Sequence, residues 1–235
     1  MVAPATFYGI GVGPGDPELL TLKARRIIST VPVIAYPKTD SGDSMARRIA
    51  APHVPSGVVE LPVALPMVVD REPARGAYDQ AARAIATHLS AGRDVAFLCE
   101  GDPFFYGSFM YLHQRLDRDF QCEVVPGVPS LMAAAAVAGR PLASRNDVMT
   151  VLPAPLDTDK LRAAIAGSDS VAIVKVGRHF SRIRTLLRDA GLAKHAVIVA
   201  RATHPDQRIT PLIEIPEGDQ PYFSTILVYK GGEPW

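Results

Sequence analysis

Apolar and polar positions along this chain repeat with two periods. Short apolar runs near residues 6–12, 31–36, 58–61, 95–99 and 122–125 read as strands. Val95-Ala96-Phe97-Leu98-Cys99 has no polar residue, the pattern of a strand buried on both faces. Between these runs lie helical patterns near 18–29, 44–51, 74–91 and 106–117. Asp16 suits the cap of the first helix, Pro17 its first position, and Leu20, Ala24, Ile27 and Ile28 form its apolar stripe. In the third, Tyr78, Ala81, Ala82, Ile85 and Leu89 share a face, and Gly92 ends it. Strand and helix alternating in this way predict a doubly wound α/β unit with a mostly parallel sheet.

The second half has a different rhythm. A helix near 129–138 precedes strands near 147–152, 170–176, 196–201, 208–215 and 222–229, with helices near 158–166 and 180–190. The late strands follow one another without helices, so hairpins and a mixed sheet are expected. The change of pattern sets the expected domains at residues 1–121 and 122–235. Pattern alone also permits one continuous domain. Residues 61–75, with three prolines, Met67 and Arg71, read as a surface loop able to act as a lid.

Three strand ends carry the candidate chemistry. Gly11-Val12-Gly13-Pro14-Gly15-Asp16-Pro17 joins the first strand to the first helix, a turn that lets a ligand approach bare backbone. A phosphate-cradling loop would end in Gly-Lys-Ser/Thr, and this one ends in Gly-Asp-Pro. A dinucleotide fingerprint would need glycine at Asp16 and an acidic residue after Val33-Ile34-Ala35-Tyr36, where Pro37-Lys38 stands. The turn therefore suits close approach by something other than the usual nucleotides. A second Gly-Asp-Pro follows the buried run, in Glu100-Gly101-Asp102-Pro103. A third feature, Val124-Val125-Pro126-Gly127-Val128-Pro129-Ser130, leads into an alanine-rich helix. In an open α/β sheet such loops face the crevice beyond the carboxyl ends of the strands.

Composition narrows the field. The chain has 235 residues, 48% of them hydrophobic, so a sizeable core is available and disorder is excluded. A net charge of +1 removes the electrostatic case for nucleic acid or an anionic membrane surface. Cys99 and Cys122 lack Cys-x-x-Cys spacing and read as buried thiols on neighbouring strands. The six histidines show no paired ligand spacing, so no metal site of the protein's own is expected. No apolar stretch reads as a signal peptide or membrane helix, and a cytoplasmic location is the default expectation.

The three loops also carry a resemblance. Gly11-Val12-Gly13-Pro14-Gly15-Asp16-Pro17-Glu18-Leu19-Leu20-Thr21-Leu22-Lys23-Ala24 resembles the opening of the tetrapyrrole methylases, and Glu100-Gly101-Asp102-Pro103-Phe104 their central Gly-Gly-Asp-Pro motif. Val125-Pro126-Gly127 resembles their mid-chain Val-Pro-Gly. Within the family, the precorrin-2 C-20-methyltransferases are most similar. The segments that carry this are 35–38, 65–67, 100–109, 126–130 and Tyr222-Phe223-Ser224-Thr225-Ile226. The resemblance implies two α/β domains with the active site in the trough between them, S-adenosyl-L-methionine as methyl donor, a tetrapyrrole substrate and a homodimer.

It also implies site residues. Donor-binding positions carried over are Pro14, Glu100, Gly101, Asp102, Phe105, Pro129, Ser130, Val176, Ala202, Ser224 and Thr225. Each has a plainer reading: turn rigidity for Pro14, a helix cap for Asp102, core packing for Phe105. Glu100 stands where many relatives have glycine, and Pro129 where many have threonine. A substrate rich in carboxylates calls for cations, and Lys38, Arg47, Arg48, Arg145 and Arg178 are the candidates. For each one alone, a solvated surface charge is the competing reading. Tyr36, Tyr106 and Met67 could supply flat or flexible apolar contact to a macrocycle. No catalytic residue is nominated, because the implied nucleophile is a carbon of the substrate. Methylation at another ring position, a cobalt-containing substrate, and a non-catalytic nucleotide-binding module remain as alternatives.

Overall fold

The computed structural model describes residues 4–38, 42–64 and 71–231. It divides into two compact units, Met1–Pro129 and Ser130–Trp235. The first contains strands β1 (Thr6–Gly11), β2 (Val33–Lys38), β3 (Val59–Ala64), β4 (Val95–Cys99) and β5 (Gln121–Val125). They form an all-parallel sheet in the order β3-β2-β4-β1-β5. Its helices are α1 (Leu22–Ile28), α2 (Met45–Ala50), α3 (Arg71–Ser90) and α4 (Phe109–Leu116).

The two faces of the sheet follow directly from the pleat. Val33, Ala35, Val95, Phe97 and Cys99 pack with Ile85 and Leu89 of α3 and Phe109 and Leu112 of α4. Their neighbours Ile34, Ala96 and Leu98 face α1 and α2 through Ala24, Ile28, Ala46 and Ile49. Gly9 makes room for this arrangement, because a Cβ there would lie 2.5 Å from the Phe109 ring. Full burial of Phe7, Phe97 and Phe109 contributes about 1.5–3 kcal/mol each. The chain leaves β1 toward the α1 face and β4 toward the α4 face. The adjacent carboxyl ends of β1 and β4 are therefore the topological switch point of the sheet.

Several boundaries differ from expectation for local reasons. Asp16 does accept a hydrogen bond, from Glu18 N at 2.8 Å, but it opens only a 3-10 turn, Pro17–Leu19. Leu20 is extended, and Thr21 Oγ1 accepts Ala24 N at 3.1 Å to start α1 proper. Helix α4 begins at Phe109 rather than 106 because Tyr106 is left-handed, with φ of 57°. The proposed lid splits apart: 61–64 belong to β3 and 71–75 to the first turns of α3. Residues 65–70, including Met67, lie outside the described residues. The division between units falls at 129/130 rather than 121/122, because β5 pairs along its length with β1. Cys99 and Cys122 are on β4 and β5, which flank β1 rather than touch, and Cys122 is only half-buried.

The second unit contains α5 (Ser130–Ala138), β6 (Met149–Pro153), α6 (Thr158–Ala166), β7 (Ser170–Val174) and α7 (Phe180–Asp189). Strands β8 (Ala196–Ala200), β9 (Arg208–Pro211) and β10 (Ser224–Tyr229) complete it. The sheet order is β6-β7-β10-β8-β9, with β6 and β7 parallel and the other pairs antiparallel. Ile173, Ile198, Ile226 and Val228 pack against Leu161 of α6 and Phe180, Ile183 and Leu187 of α7. Helix α5 contacts β10 and β8. The strand expected over 208–215 ends at Pro211, where a 3-10 turn, Leu212–Glu214, buries Leu212.

Candidate functional site

The three loops of the first unit meet backbone to backbone at the switch point. Gly13 and Gly101 exchange hydrogen bonds, Gly13 N to Gly101 O at 3.3 Å and Gly101 N to Gly13 O at 2.8 Å. Both residues are left-handed, with φ of 79° and 65°. Gly11 and Gly127 close the approach: a Cβ on Gly11 would lie 2.5 Å from Gly127 N, and one on Gly127 would overlap the Gly101 carbonyl oxygen. The loop after β5 is thus as tightly fitted as the two Gly-Asp-Pro loops.

Asp102 ties these loops together. Its Oδ1 accepts Phe104 N at 2.9 Å, and its Oδ2 accepts Gly127 N at 3.1 Å. The expected cap of the following helix is not its role, since α4 begins at Phe109 with Ser108 at the cap position. Phe105 is half-buried, outside the core clusters, with its ring 5.0 Å from that of Tyr106. Pro14 is half-buried in the first loop, Pro129 half-buried in the third, and Ser130 exposed at the start of α5.

Glu100 has a partner no sequence pattern announced. Its Oε1 accepts the Ala46 N–H of α2 at 3.1 Å. Burial pushes this carboxyl above the usual carboxylate range. The side chain therefore serves α2. The neighbouring Cys99 thiol is also pushed up by burial, which removes it as a nucleophile.

The remaining donor-site candidates gather at one end of the second sheet. Val176 follows β7, Ala202 follows β8, and Ser224 and Thr225 begin β10, which runs antiparallel between those strands. All four are buried. Ser224 Oγ is buried and has no hydrogen-bond partner among the described residues. Around it the backbone is left-handed at Lys175, Arg201 and Thr203, with φ of 58°, 51° and 67°. An orphaned hydroxyl costs free energy unless a ligand satisfies it.

Three of the five cations belong to the first unit and two to the second. Lys38 ends β2, Arg47 and Arg48 are on α2, Arg145 precedes β6, and Arg178 lies in a 3-10 turn after β7. Arg47 is engaged within its own unit. Its Nε and Nη2 donate to Glu60 at 3.1 and 2.8 Å, and Tyr36 Oη donates to the same carboxylate at 2.7 Å. Hydrogen bonding to Arg47 holds Glu60 below the usual carboxylate range. Arg48 and Arg178 are exposed. His179, beside Arg178, is held below the ordinary histidine value by burial and by Arg178 and Arg182. His113 of α4 lies 3.6 Å from Asp117, the C-cap residue one turn further on. Among the described residues, no group of three His, Cys, Asp or Glu side chains could hold a metal ion. No helix among them is long and apolar enough to cross a membrane.

A doubly wound parallel unit with three converging glycine loops, followed by a mixed-sheet unit, defines a two-unit α/β protein. The model of the Tetrapyrrole (Corrin/Porphyrin) Methylases matches residues 6–215, and the chain belongs to that family. It is 41% identical over 239 residues to cobalamin biosynthesis protein CobIJ of Mycobacterium tuberculosis, matching 98% of this chain and 47% of CobIJ. The chain thus spans about half the length of that relative. It is 39% identical over 235 residues to a precorrin-2 C(20)-methyltransferase of Sinorhizobium sp, covering 97% of this chain and 96% of that one. Among solved structures, it is similar to uroporphyrin-III C-methyl transferase from Thermus thermophilus complexed with S-adenyl homocysteine. The TM-score is 0.69 and the identity 26%, over 95% of this chain and 97% of the other.

Proposed function

We propose that this chain is an S-adenosyl-L-methionine-dependent methyltransferase that methylates precorrin-2 at C-20 to give precorrin-3A, a step of cobalamin biosynthesis. The observation that carries the reading is the near-full-length identity with the Sinorhizobium precorrin-2 C(20)-methyltransferase. The glycine cradle agrees with it, because a donor that needs only to be held and aligned asks for backbone and shape rather than for an acid or base.

The donor supplies an activated methyl group on a sulfonium, a good leaving group. The residues of this chain bind, orient and exclude water. Gly13, Gly101 and Gly127 present backbone at the switch point, and Asp102 holds two of the three loops in register. Val176, Ala202, Ser224 and Thr225 contribute a second, apolar surface with one hydroxyl to offer. Lys38, Arg48, Arg145 and Arg178 are the cations assigned to the carboxylates of the tetrapyrrole, with Arg47 held in place by Glu60. The enzyme acts as a homodimer in the cytoplasm. The free thiols of Cys99 and Cys122 suit that reducing compartment.

The test is incubation with methyl-labelled S-adenosylmethionine and precorrin-2, or its cobalt complex, side by side. Mass analysis and NMR then locate the new methyl carbon. The expected product carries one label at C-20 of the metal-free substrate. Label at a pyrrole β-carbon, or turnover of uroporphyrinogen III alone, would overturn the position assigned. Light scattering at twice the mass of the 25.2 kDa chain would support the dimer.

A further inference from the structure

The side chain of Glu100 has a defined task in the loop after β4. The residue follows β4 directly and precedes Gly101. On one side, Gly101 exchanges backbone hydrogen bonds with Gly13, and the Asp102 carboxylate accepts Gly127 N. On the other side, Glu100 Oε1 reaches the Ala46 amide of α2, 54 residues away in sequence. The helix it grips is itself anchored. Ser44 Oγ accepts Arg47 N at 3.3 Å, and the Arg47 side chain is forked onto Glu60, which also accepts the Tyr36 hydroxyl. The loop is therefore clamped between two supports, and α2 is a stiff one.

We propose that Glu100 is a positioning residue for the methyl donor: its side chain braces residues 100–102 against α2, so that the Gly101 and Asp102 backbone is in place before the donor arrives. The proposal rests on reading 100–102 as the donor loop. Burial of the carboxyl is the cost of the brace, offset by the Ala46 hydrogen bond and by a loop that needs no ordering on binding. A glutamine retains an acceptor oxygen at the same reach. Aspartate falls one methylene short, and alanine has no acceptor.

The test compares wild type with Glu100→Gln, Glu100→Asp and Glu100→Ala in two ways. Calorimetric titration with S-adenosylhomocysteine reads donor-site affinity, and amide hydrogen exchange at Ala46 and Gly101 reads the brace in ligand-free protein. Alanine and aspartate are expected to weaken affinity by about five- to tenfold, the loss carried by one hydrogen bond of this kind. Exchange at Ala46 should rise in both. Glutamine should restore affinity to within about twofold of wild type, given the same acceptor geometry. In turnover, the loss should fall on the donor KM with kcat at saturating donor nearly unchanged. Glu100→Ala or Glu100→Asp binding as tightly as wild type would overturn the proposal. So would Glu100→Gln losing as much as Glu100→Asp, since charge rather than bracing would then be the cause. Wild type failing to bind S-adenosylhomocysteine while Ala46 remains protected would overturn the donor reading beneath it. That outcome is distinct from a protein that binds but lacks the brace.

Discussion

The two units end their central strands by opposite means. In the first, the backbone turns left-handed at Gly13 and Gly101, where the absence of a Cβ makes the conformation inexpensive. In the second, the equivalent turns fall on Lys175, Arg201 and Thr203, where it costs about 1–2 kcal/mol per residue. The surroundings hold those residues in place. Arg201 N donates to Phe223 O at 2.7 Å, His204 N to Arg201 O at 3.0 Å, and Thr203 N to Gln207 Oε1 at 2.6 Å. Arg201 also pairs with Asp206. The first unit thus carries its tight turns in its composition, and the second stores them as strain beside an unsatisfied Ser224 hydroxyl.

Substitutions that exchange the two devices should separate them. The largest effect is expected at Gly127→Ala, whose Cβ would overlap the Gly101 carbonyl. Urea unfolding should show a loss of about 3 kcal/mol or more, or no folded protein at all. Asp102→Ala removes two accepted backbone hydrogen bonds and should lose about 2–3 kcal/mol in the same assay. Gly13→Ala is milder. The nearest atom to its Cβ is Leu19 O at 3.4 Å, so the backbone angle dominates a loss of about 1–2 kcal/mol. Lys175→Gly should go the other way. Relief of strain outweighs the greater freedom of the unfolded chain, for a gain of up to about 1 kcal/mol. A Lys175→Gly protein as destabilised as Gly13→Ala would break the comparison.

The smallest effect concerns pH. Arg47 holds Glu60 below the usual carboxylate range, so the pair contributes stability above the unfolded carboxyl value of about 4.3. That contribution is lost as acid protonates Glu60. The pair is partly exposed, and its share is under about 1 kcal/mol. Glu60→Gln should therefore differ from wild type by that small amount at pH 7. As the pH falls through the lowered folded-state value of Glu60, the two denaturation midpoints should converge. A gap that widens on acidification would contradict the assignment.

The same contrast explains what was legible in the chain. The parallel sheet and its helices follow from apolar runs such as Val95–Cys99 and the stripe of α3. The loops at Gly13 and Gly101 stand out because glycine marks them. Gly127 is visible as Val-Pro-Gly, but its contact with Gly101 depends on β5 lying beside β1, which no local pattern states. Glu100 reaching Ala46, and Arg47 forked onto Glu60, are pairings 54 and 13 residues apart. Side chains at such separations carry no periodic signal. In the second unit, Val176, Ala202, Ser224 and Thr225 were accessible only through family resemblance. Nothing in Lys175-Val176 or Arg201-Ala202 as letters discloses a left-handed turn. The misplaced start of α1 has a simpler source: Asp16 and Thr21 are both good caps, and the extended Leu20 between them gives the helix to the second.

The proposed function assigns donor-binding residues in each unit, although only the first unit's strand ends are built from glycine. Titration of isotope-labelled protein with S-adenosylhomocysteine, followed by amide chemical shifts, tests it most directly. The account predicts saturable shifts at Gly13, Gly101 and Phe105 and, with the same affinity, at Val176, Ala202 and Ser224. Shifts confined to one cluster, shifts elsewhere in the chain, or an equal response to ATP or NAD would contradict it.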